Sequence, residues 1–367
     1  MQRRRRLVRK ILAIDIGAGT EDILLYDEEK NIENCVKMIL PAPSIVHAAS
    51  VNHATMLGKD IFVRGYTIGG GEFAASVTRH LKKGFRVVMT ESAAYSIRND
   101  LDEVNQLGVE VWRGEKPPKG FKGEVLNISE INLKELNVFL SKENVNLSDV
   151  DVIAVAVQDH GVSPKGISNR RFRMEKMREQ LSRSRRPEDF AFKEDEVPRY
   201  FIRMNSAVKA CKNQFPNSKV MVMDTSFAAI AGCLQDPTVG EAKSVLAVNL
   251  GNGHMMAAIA LKGEIRGIAE HHTQLLTHTK LERLLREFAD GELTDEDVFN
   301  EGGHGVAFAT KPPGFSKIDL IATTGPNRHL IEKTGIKAYF ATPAGDMMMT
   351  GPMGLVAAAK RKYRQRR

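Results

Sequence analysis

Lys10-Ile11-Leu12-Ala13-Ile14-Asp15-Ile16-Gly17-Ala18-Gly19-Thr20-Glu21-Asp22-Ile23-Leu24-Leu25-Tyr26 reads as two apolar strands joined by a bend that lacks bulky side chains. Gly17, Ala18 and Gly19 suit a tight hairpin turn and let backbone amides approach a ligand. Far downstream the pattern returns. Strand 244–250 runs into Gly251-Asn252-Gly253, and His254 opens another apolar strand. Phosphate oxygens need several convergent N–H donors, and turns of this kind supply them. Two such turns facing each other would hold a polyphosphate from both sides. Asp15, at a strand end, is suited to hold Mg²⁺ through its waters, because that ion takes few protein carboxylates.

Around these hairpins strands alternate with helices, which indicates an α/β fold. Further strands are expected at 36–40, 61–63, 86–89, 109–112, 219–223, 264–269 and 319–322. The run 150–157 is the clearest buried strand, β-branched and nearly all apolar. Helices are expected over 72–82, 198–215, 225–234 (from a capping Thr or Ser) and 278–289. The turn 324–326 opens another helix to Thr334, and a closing helix rich in Met and Ala spans 343–360. Residues 169–186 carry eight Arg/Lys against two Glu and read as a mobile connection or an exposed helix. The lobe boundary falls there, giving lobes 1–168 and 198–367 joined by a basic connection at 169–197. The two hairpin-led halves are candidates for remote copies of one unit.

The order of segments resembles the actin, hexokinase and seventy-kilodalton heat-shock ATPase superfamily. That resemblance implies two RNase H-like lobes, mixed sheets flanked by helices, with a nucleotide cleft between them and ATP and Mg as cofactors. Gly17, Ala18, Gly19 and Thr20 would form the first phosphate turn, and Gly251, Asn252 and Gly253 the second. The stretch 224–232 looks like the Ala-rich connecting helix before the second hairpin, with Asp224 where those proteins carry an acid near the metal and the attacking water. Gly325 and Pro326 lie in a stretch similar to the adenosine turn, although a second Gly usual there is Pro326. Residues 350–358 look like the small-residue helix that packs between lobes. Gln158-Asp159-His160-Gly161 is similar to a strand end of carbohydrate kinases, but the Asp those enzymes use as base is missing from 168–172. Asp159 or Asp224 would have to substitute. Asn249 stands where actin and the heat-shock ATPases have Asp. The whole chain also looks like a prokaryotic family of unknown function, some of whose members bear the label of pyruvate formate-lyase activating enzyme. That chemistry needs three closely spaced cysteines. Cys35, Cys211 and Cys233 are far apart and read as buried free thiols in a reducing compartment, so the label is rejected.

Composition excludes little else. The formal charge of +8 belongs to the ends: residues 1–10 and 360–367 each carry six Arg/Lys and no acid, and removing those twelve charges leaves −4. Nucleic acid would be a partner only through these tails, which otherwise read as solvated ends. No apolar run reaches the ~18 residues a membrane span requires, and the basic start is not followed by a signal-like core, so a cytoplasmic location is expected. Six of ten histidines fall between 254 and 329. His160, His271, His272 and Thr273 are candidates for lining a substrate cleft. A metal site drawing on His271 and His272 with His160 or His304 is weighed against the alternation of neighbours on a strand. Glu301–Gly305 reads as a flexible loop or lid, and Met347–Met349 as core. Taken together, the residues imply an Mg-dependent ATP hydrolase or small-molecule phosphotransferase of unknown acceptor. The other reading is a nucleotide-gated binding or assembly module that engages a small-molecule or protein partner.

Overall fold

A computed structural model of the chain describes residues 8–363. Most of the two basic tails lies outside the described residues. Within them, Lys360 donates to Tyr26 Oη and Arg361 grips Asp189 through two nitrogens, so this part of the C-terminal basic run is tied to the body.

Three sheets form. β1 (Lys10–Ile16), β2 (Thr20–Asp27) and β3 (Val36–Pro41) make an antiparallel meander. The chain then leaves for a separate parallel sheet of β4 (Ile61–Gly65), β5 (Val87–Thr90), β6 (Val109–Trp112) and β7 (Glu124–Ile128), ordered β6-β5-β4-β7. It returns with β8 (Val152–Val157), β9 (Phe192–Lys193) and β10 (Lys219–Met223), and β8 pairs parallel with β1. The first sheet is therefore ordered β3-β2-β1-β8-β10-β9. All six residues of β8 are buried, as expected of a strand with both faces covered.

The second sheet repeats this plan. β11 (Ser244–Leu250), β12 (His254–Leu261) and β13 (Glu264–His272) form the meander, β14 (Gly305–Phe308) extends it, and β15 (Leu320–Thr324) and β16 (Tyr339–Phe340) run parallel to β11. Leaving aside the outer strands β9 and β14, both sheets have the order 3-2-1-4-5 of an RNase H-like lobe. The halves are copies in topology. Asp15 and Asn249 occupy the same position in their strands, and Gly17 and Gly251 each donate to a carbonyl three residues on, at 2.9 and 3.0 Å.

After the fifth strand of each sheet comes a helix, Thr225–Cys233 in the first and Thr350–Lys362 in the second. These two fill the space between the sheets and share one apolar core with both. They cross at glycines. A Cβ on Gly232 would collide with Thr350 O and lie 2.9 Å from Gly354 N, and one on Gly354 would collide with Ala228 O. Only hydrogen atoms fit there.

Several expectations change. Helix 225–233 is capped by Asp224, whose carboxylate accepts from Ser226 N, and not by Thr or Ser. The closing helix begins at Thr350, because Ala344 and Gly345 adopt left-handed φ of 62° and 78° and leave only short 3-10 turns before it. Beyond 324–326 only a 3-10 helix forms, Arg328–Lys333. Residues Asn169–Arg183 are a helix, neither mobile nor wholly exposed, with Phe172, Arg173, Met174, Met177 and Leu181 buried. Because β9 and β10 complete the first sheet, the change of sheet falls after Met223, later than the connection expected at 169–197. No helix among the described residues is long and apolar enough to cross a membrane.

Replacing Gly354 by Val drives a branched side chain into the backbone of the partner helix. Denaturant titration should show a loss of about 3 kcal/mol, at the upper end for overpacking. An unchanged midpoint would mean the crossing is loose.

Candidate functional site

Both glycine turns stand at the same edge of the molecule, and they touch. A Cβ on Gly19 would run into Asn252 Nδ2. The peptide N–H groups of Ala18, Gly19, Asn252 and Gly253 take no backbone partner among the described residues. Space beside Gly253 is open, with nothing within 4 Å of where its Cβ would stand. Thr273, one of the four residues expected to line a substrate cleft, anchors the second turn, its N–H donating to Gly253 O at 3.0 Å. The two turns thus offer unused donors on either side of one line of contact, a cradle of the kind an anionic chain requires.

Asp15 lies behind the first turn, between the first turns of both connecting helices. Its Oδ1 accepts from Thr225 Oγ1 at 2.6 Å, and its Oδ2 rests against Gly351, where a Cβ would overlap it. Helix N-termini favour such a negative charge. Directly across the ladder from Asp15 is Asp22, whose Oδ1 is buried without a hydrogen-bond partner among the described residues. Burial pushes Asp15 up to about 7 and Asp22 up to about 8, the latter also through repulsion from Asp15. Neighbouring Glu21 rises to about 7 by burial and by the charge of Glu130. A carboxylate pair, Asp22 buried and Asp15 half-buried, with an orphaned oxygen and no guanidinium paired to it among the described residues, fits a hydrated divalent cation, so the donor set suits the magnesium that the resemblance implies.

Between the two sheets lies a buried ion cluster that the sequence did not reveal. Arg173, 2% exposed, projects from helix 169–183 and joins the two sheets. It holds Asp224 at the end of β10 (NH1–Oδ2 2.6 Å, NH2–Oδ1 2.9 Å) and Glu270 on β13 (Nε–Oε2 and NH2–Oε1, both 2.8 Å). Burial alone would raise Glu270, but the adjacent guanidinium holds it well below the usual carboxylate range. A second buried guanidinium, Arg203, pairs with Glu130 and donates to Gln158 O at 2.8 Å. Asp224 and Asp159, expected as catalytic acids, are both committed. Each oxygen of Asp224 meets Arg173, and Oδ1 also caps helix 225–233. Asp159 accepts from Gly161 N and Met204 N, one bond to each oxygen.

Histidines gather beside this cluster, but in a different set from the one expected. His160 Nε2 lies 3.0 Å from His304 Nε2, and His254 completes a trio whose ligand atoms all lie within 4.8 Å of one another. His272 faces the trio as the cross-strand partner of His254, their ring centroids 4.6 Å apart. His271 points to the other face of β13, fully buried against Val298 and Gly303, as strand alternation demands. Burial depresses all three members of the trio, His254 to about 4 and His304 to about 3, and the charge of Arg173 adds to the effect, so the rings are neutral near pH 7. The segment 301–305, expected as a flexible loop or lid, is tied down at three points. Gly303 N donates to Val298 O, His304 N donates to Glu270 O, and Arg170 clamps Gly303 O.

The turn at 324–326, expected to meet adenosine, is less simple than expected. Gly325 is buried and has φ 91°, and its missing side chain is required by Leu250 O, 2.5 Å from where a Cβ would sit. Its N–H points at Met347 Sδ, at 3.2 Å, and Pro326 is exposed.

Fold and site together define a two-lobed α/β protein of the RNase H-like type, the glycine turns of its two lobes in contact. Within that class, the chain belongs to the family described as "Putative pyruvate format-lyase activating enzyme (DUF1786)", whose sequence model matches residues 68–330. No curated protein matches it. Among solved structures it is similar to "a putative N-acetylmannosamine kinase" from Listeria monocytogenes, at 12% identity and TM-score 0.37, covering 96% of this chain and 99% of that one. It is also similar to a Bacteroides thetaiotaomicron protein with an actin-like ATPase fold and unknown function, at 9% and 0.34, covering 96% and 98%. A third is an exopolyphosphatase from Cytophaga hutchinsonii, at 13% and 0.31, covering 97% and 89%. At these scores the fold assignment rests on strand order. The cysteines offer no cluster site: Cys35 and Cys233 lie in the central core, Cys211 lies in another, and all are free thiols.

Arg173→Met should cost about 3–5 kcal/mol in denaturant unfolding, because it leaves two buried carboxylates unpaired. Asp22 gives a pH test. Its folded pKa stands above the ordinary 3.8, so its contribution to stability is whole below that pH and is lost as the pH rises through about 8. The melting temperature of Asp22→Asn relative to the native chain should therefore climb from pH 5 to pH 8. A flat difference would refute the burial of that charge.

Proposed function

We propose that the chain binds a magnesium–nucleoside triphosphate, ATP by the superfamily resemblance, between its lobes and directs the terminal phosphoryl group to water or a small acceptor. The observation that carries this reading is the contact of Gly19 with Asn252, which brings two remote turns with unused N–H donors together beside Asp15. Bound there, the magnesium–triphosphate would supply an activated phosphoryl group. The residues do the rest by positioning and electrostatics, which is most of what phosphoryl transfer asks of a protein. Turns 17–20 and 251–253 would hold phosphate oxygens. Asp15, with Asp22 behind it, would hold the hydrated cation and become fully ionised as the cation offsets their repulsion. Arg173 and Asp224, both nearly fully buried, would tie the two sheets together beside the bound triphosphate.

One observation favours the second reading, a nucleotide-gated binding module without efficient turnover. Both carboxylates expected to act on the nucleophile, Asp224 and Asp159, are already engaged at each oxygen. Turnover separates the two readings.

Calorimetry should show one equivalent of Mg-ATP bound, with Asp15→Asn weakening it at least about tenfold, roughly 1.4 kcal/mol. Equal binding by both proteins, or by neither, would overturn the assignment. Single-turnover hydrolysis of bound ATP then decides for transfer, and its absence with binding intact decides for the module.

A further inference from the structure

The histidine trio has no part in the proposed nucleotide grip, and its chemistry is unusual. Three imidazoles arrive from three different places in the fold: His160 after β8, His254 at the start of β12 and His304 just before β14. Neutral rings need one hydrogen-bond acceptor and one donor each to be satisfied in a buried setting. The only bond within the trio is the one between His160 Nε2 and His304 Nε2. His254 Nε2 and His304 Nδ1 are buried with no partner among the described residues. Leaving such groups unpaired costs free energy, and no neighbouring side chain relieves it.

We propose that His160, His254 and His304 bind a divalent transition-metal ion of the zinc class, at a site separate from the magnesium position beside Asp15. Three imidazole nitrogens without a thiolate or a third-row donor are the ligand set that suits Zn²⁺ and its neighbours, whereas Mg²⁺ prefers oxygen. Around a tetrahedral ion with metal–nitrogen distances of about 2.0–2.1 Å, the nitrogens stand roughly 3.3 Å apart. The 3.0 Å pair and the 4.8 Å limit on the trio bracket that spacing, so small side-chain adjustments close the site. A carboxylate stands within reach of an outer-shell role. Glu270 Oε2 is 3.8 Å from His304 Nδ1, beyond hydrogen-bond distance, and Arg173 fixes that carboxylate with two hydrogen bonds, so a small turn of the ring would make the carboxylate–histidine pair that orients metal-bound imidazoles. Three protein ligands leave one position for water or for an oxygen donor such as a hydroxyl or carboxylate of a small molecule. Because His254 follows Gly253 directly, the trio adjoins the second glycine turn. The site stands on the histidines alone and does not depend on nucleotide binding.

The untagged full chain, stripped with chelator, is titrated with Co²⁺ under visible absorption and with Zn²⁺ by calorimetry. One equivalent should bind with a tetrahedral ligand-field spectrum. His160→Gln and His254→Gln, both at half-buried positions, should each weaken binding at least about 100-fold, the top of the range for losing an outer-shell partner alone. The exposed His329→Gln should bind as the native chain does, and circular dichroism establishes that all three are folded. Absence of stoichiometric binding, or equal affinity in folded His160→Gln and His254→Gln, would overturn the proposal. Mg-ATP calorimetry on the same proteins reports on the other site, so failure of one is distinguishable from failure of the other.

Discussion

Two helices can touch backbone to backbone only where both lack side chains, and here that contact sets the relation of the halves. Gly232 and Gly354 let helices 225–233 and 350–362 cross with Ala228 O and Thr350 O at the contact. Each helix follows the fifth strand of its own sheet, so the crossing fixes how one sheet faces the other. The same approach brings Thr225 and Gly351 onto the two oxygens of Asp15. With larger residues at the crossing, the sheets would separate and the glycine turns would no longer meet.

Electrostatics adds a second tie. Arg173 reaches from a helix otherwise rich in solvated charge to one carboxylate from each sheet. A buried ion cluster is weak evidence for net stability, since desolvation opposes the attraction. Its value lies in specificity: removing the guanidinium would leave two carboxylates buried with no opposite charge between them. The acids around Asp15 show the opposite case. Among the described residues no guanidinium pairs with Asp22, and burial displaces its ionisation upward. The interior between the sheets is therefore neutralised, and the pair beside the first glycine turn is not.

Much of the scaffold was legible. The hairpins, β6, β10, β11 and β12 fall where alternation and glycine placement put them, because local pattern and burial agree there. Of the parallel sheet, the sequence marks β4, β5 and β6 but not β7, Glu124–Ile128, and it does not mark the four as a unit of their own, since short apolar runs do not announce their partners. Helix 169–183 was misjudged for a different reason. Its charge count is that of a solvated face, and nothing local marks Arg173 as the one member that turns inward. The sequence reading includes His160 and His304 only beside the adjacent pair His271 and His272 and omits His254, although strand alternation already sets that pair on opposite faces. A histidine directly after a glycine turn was the signal available, and it pointed to His254.

What this chain's sequence determined by itself is local: two strand–glycine–strand units, small residues on two helices, and an acid at the end of the first strand. These are matters of backbone conformation and of burial period, and neighbouring residues suffice to encode them. Tertiary structure alone decided which side chains meet: Gly19 with Asn252, Arg173 with Asp224 and Glu270, His160 with His254 and His304. Those partners come from different strands and helices. Their approach is set by the packing of sheets and helices against one another, which no short stretch of sequence contains.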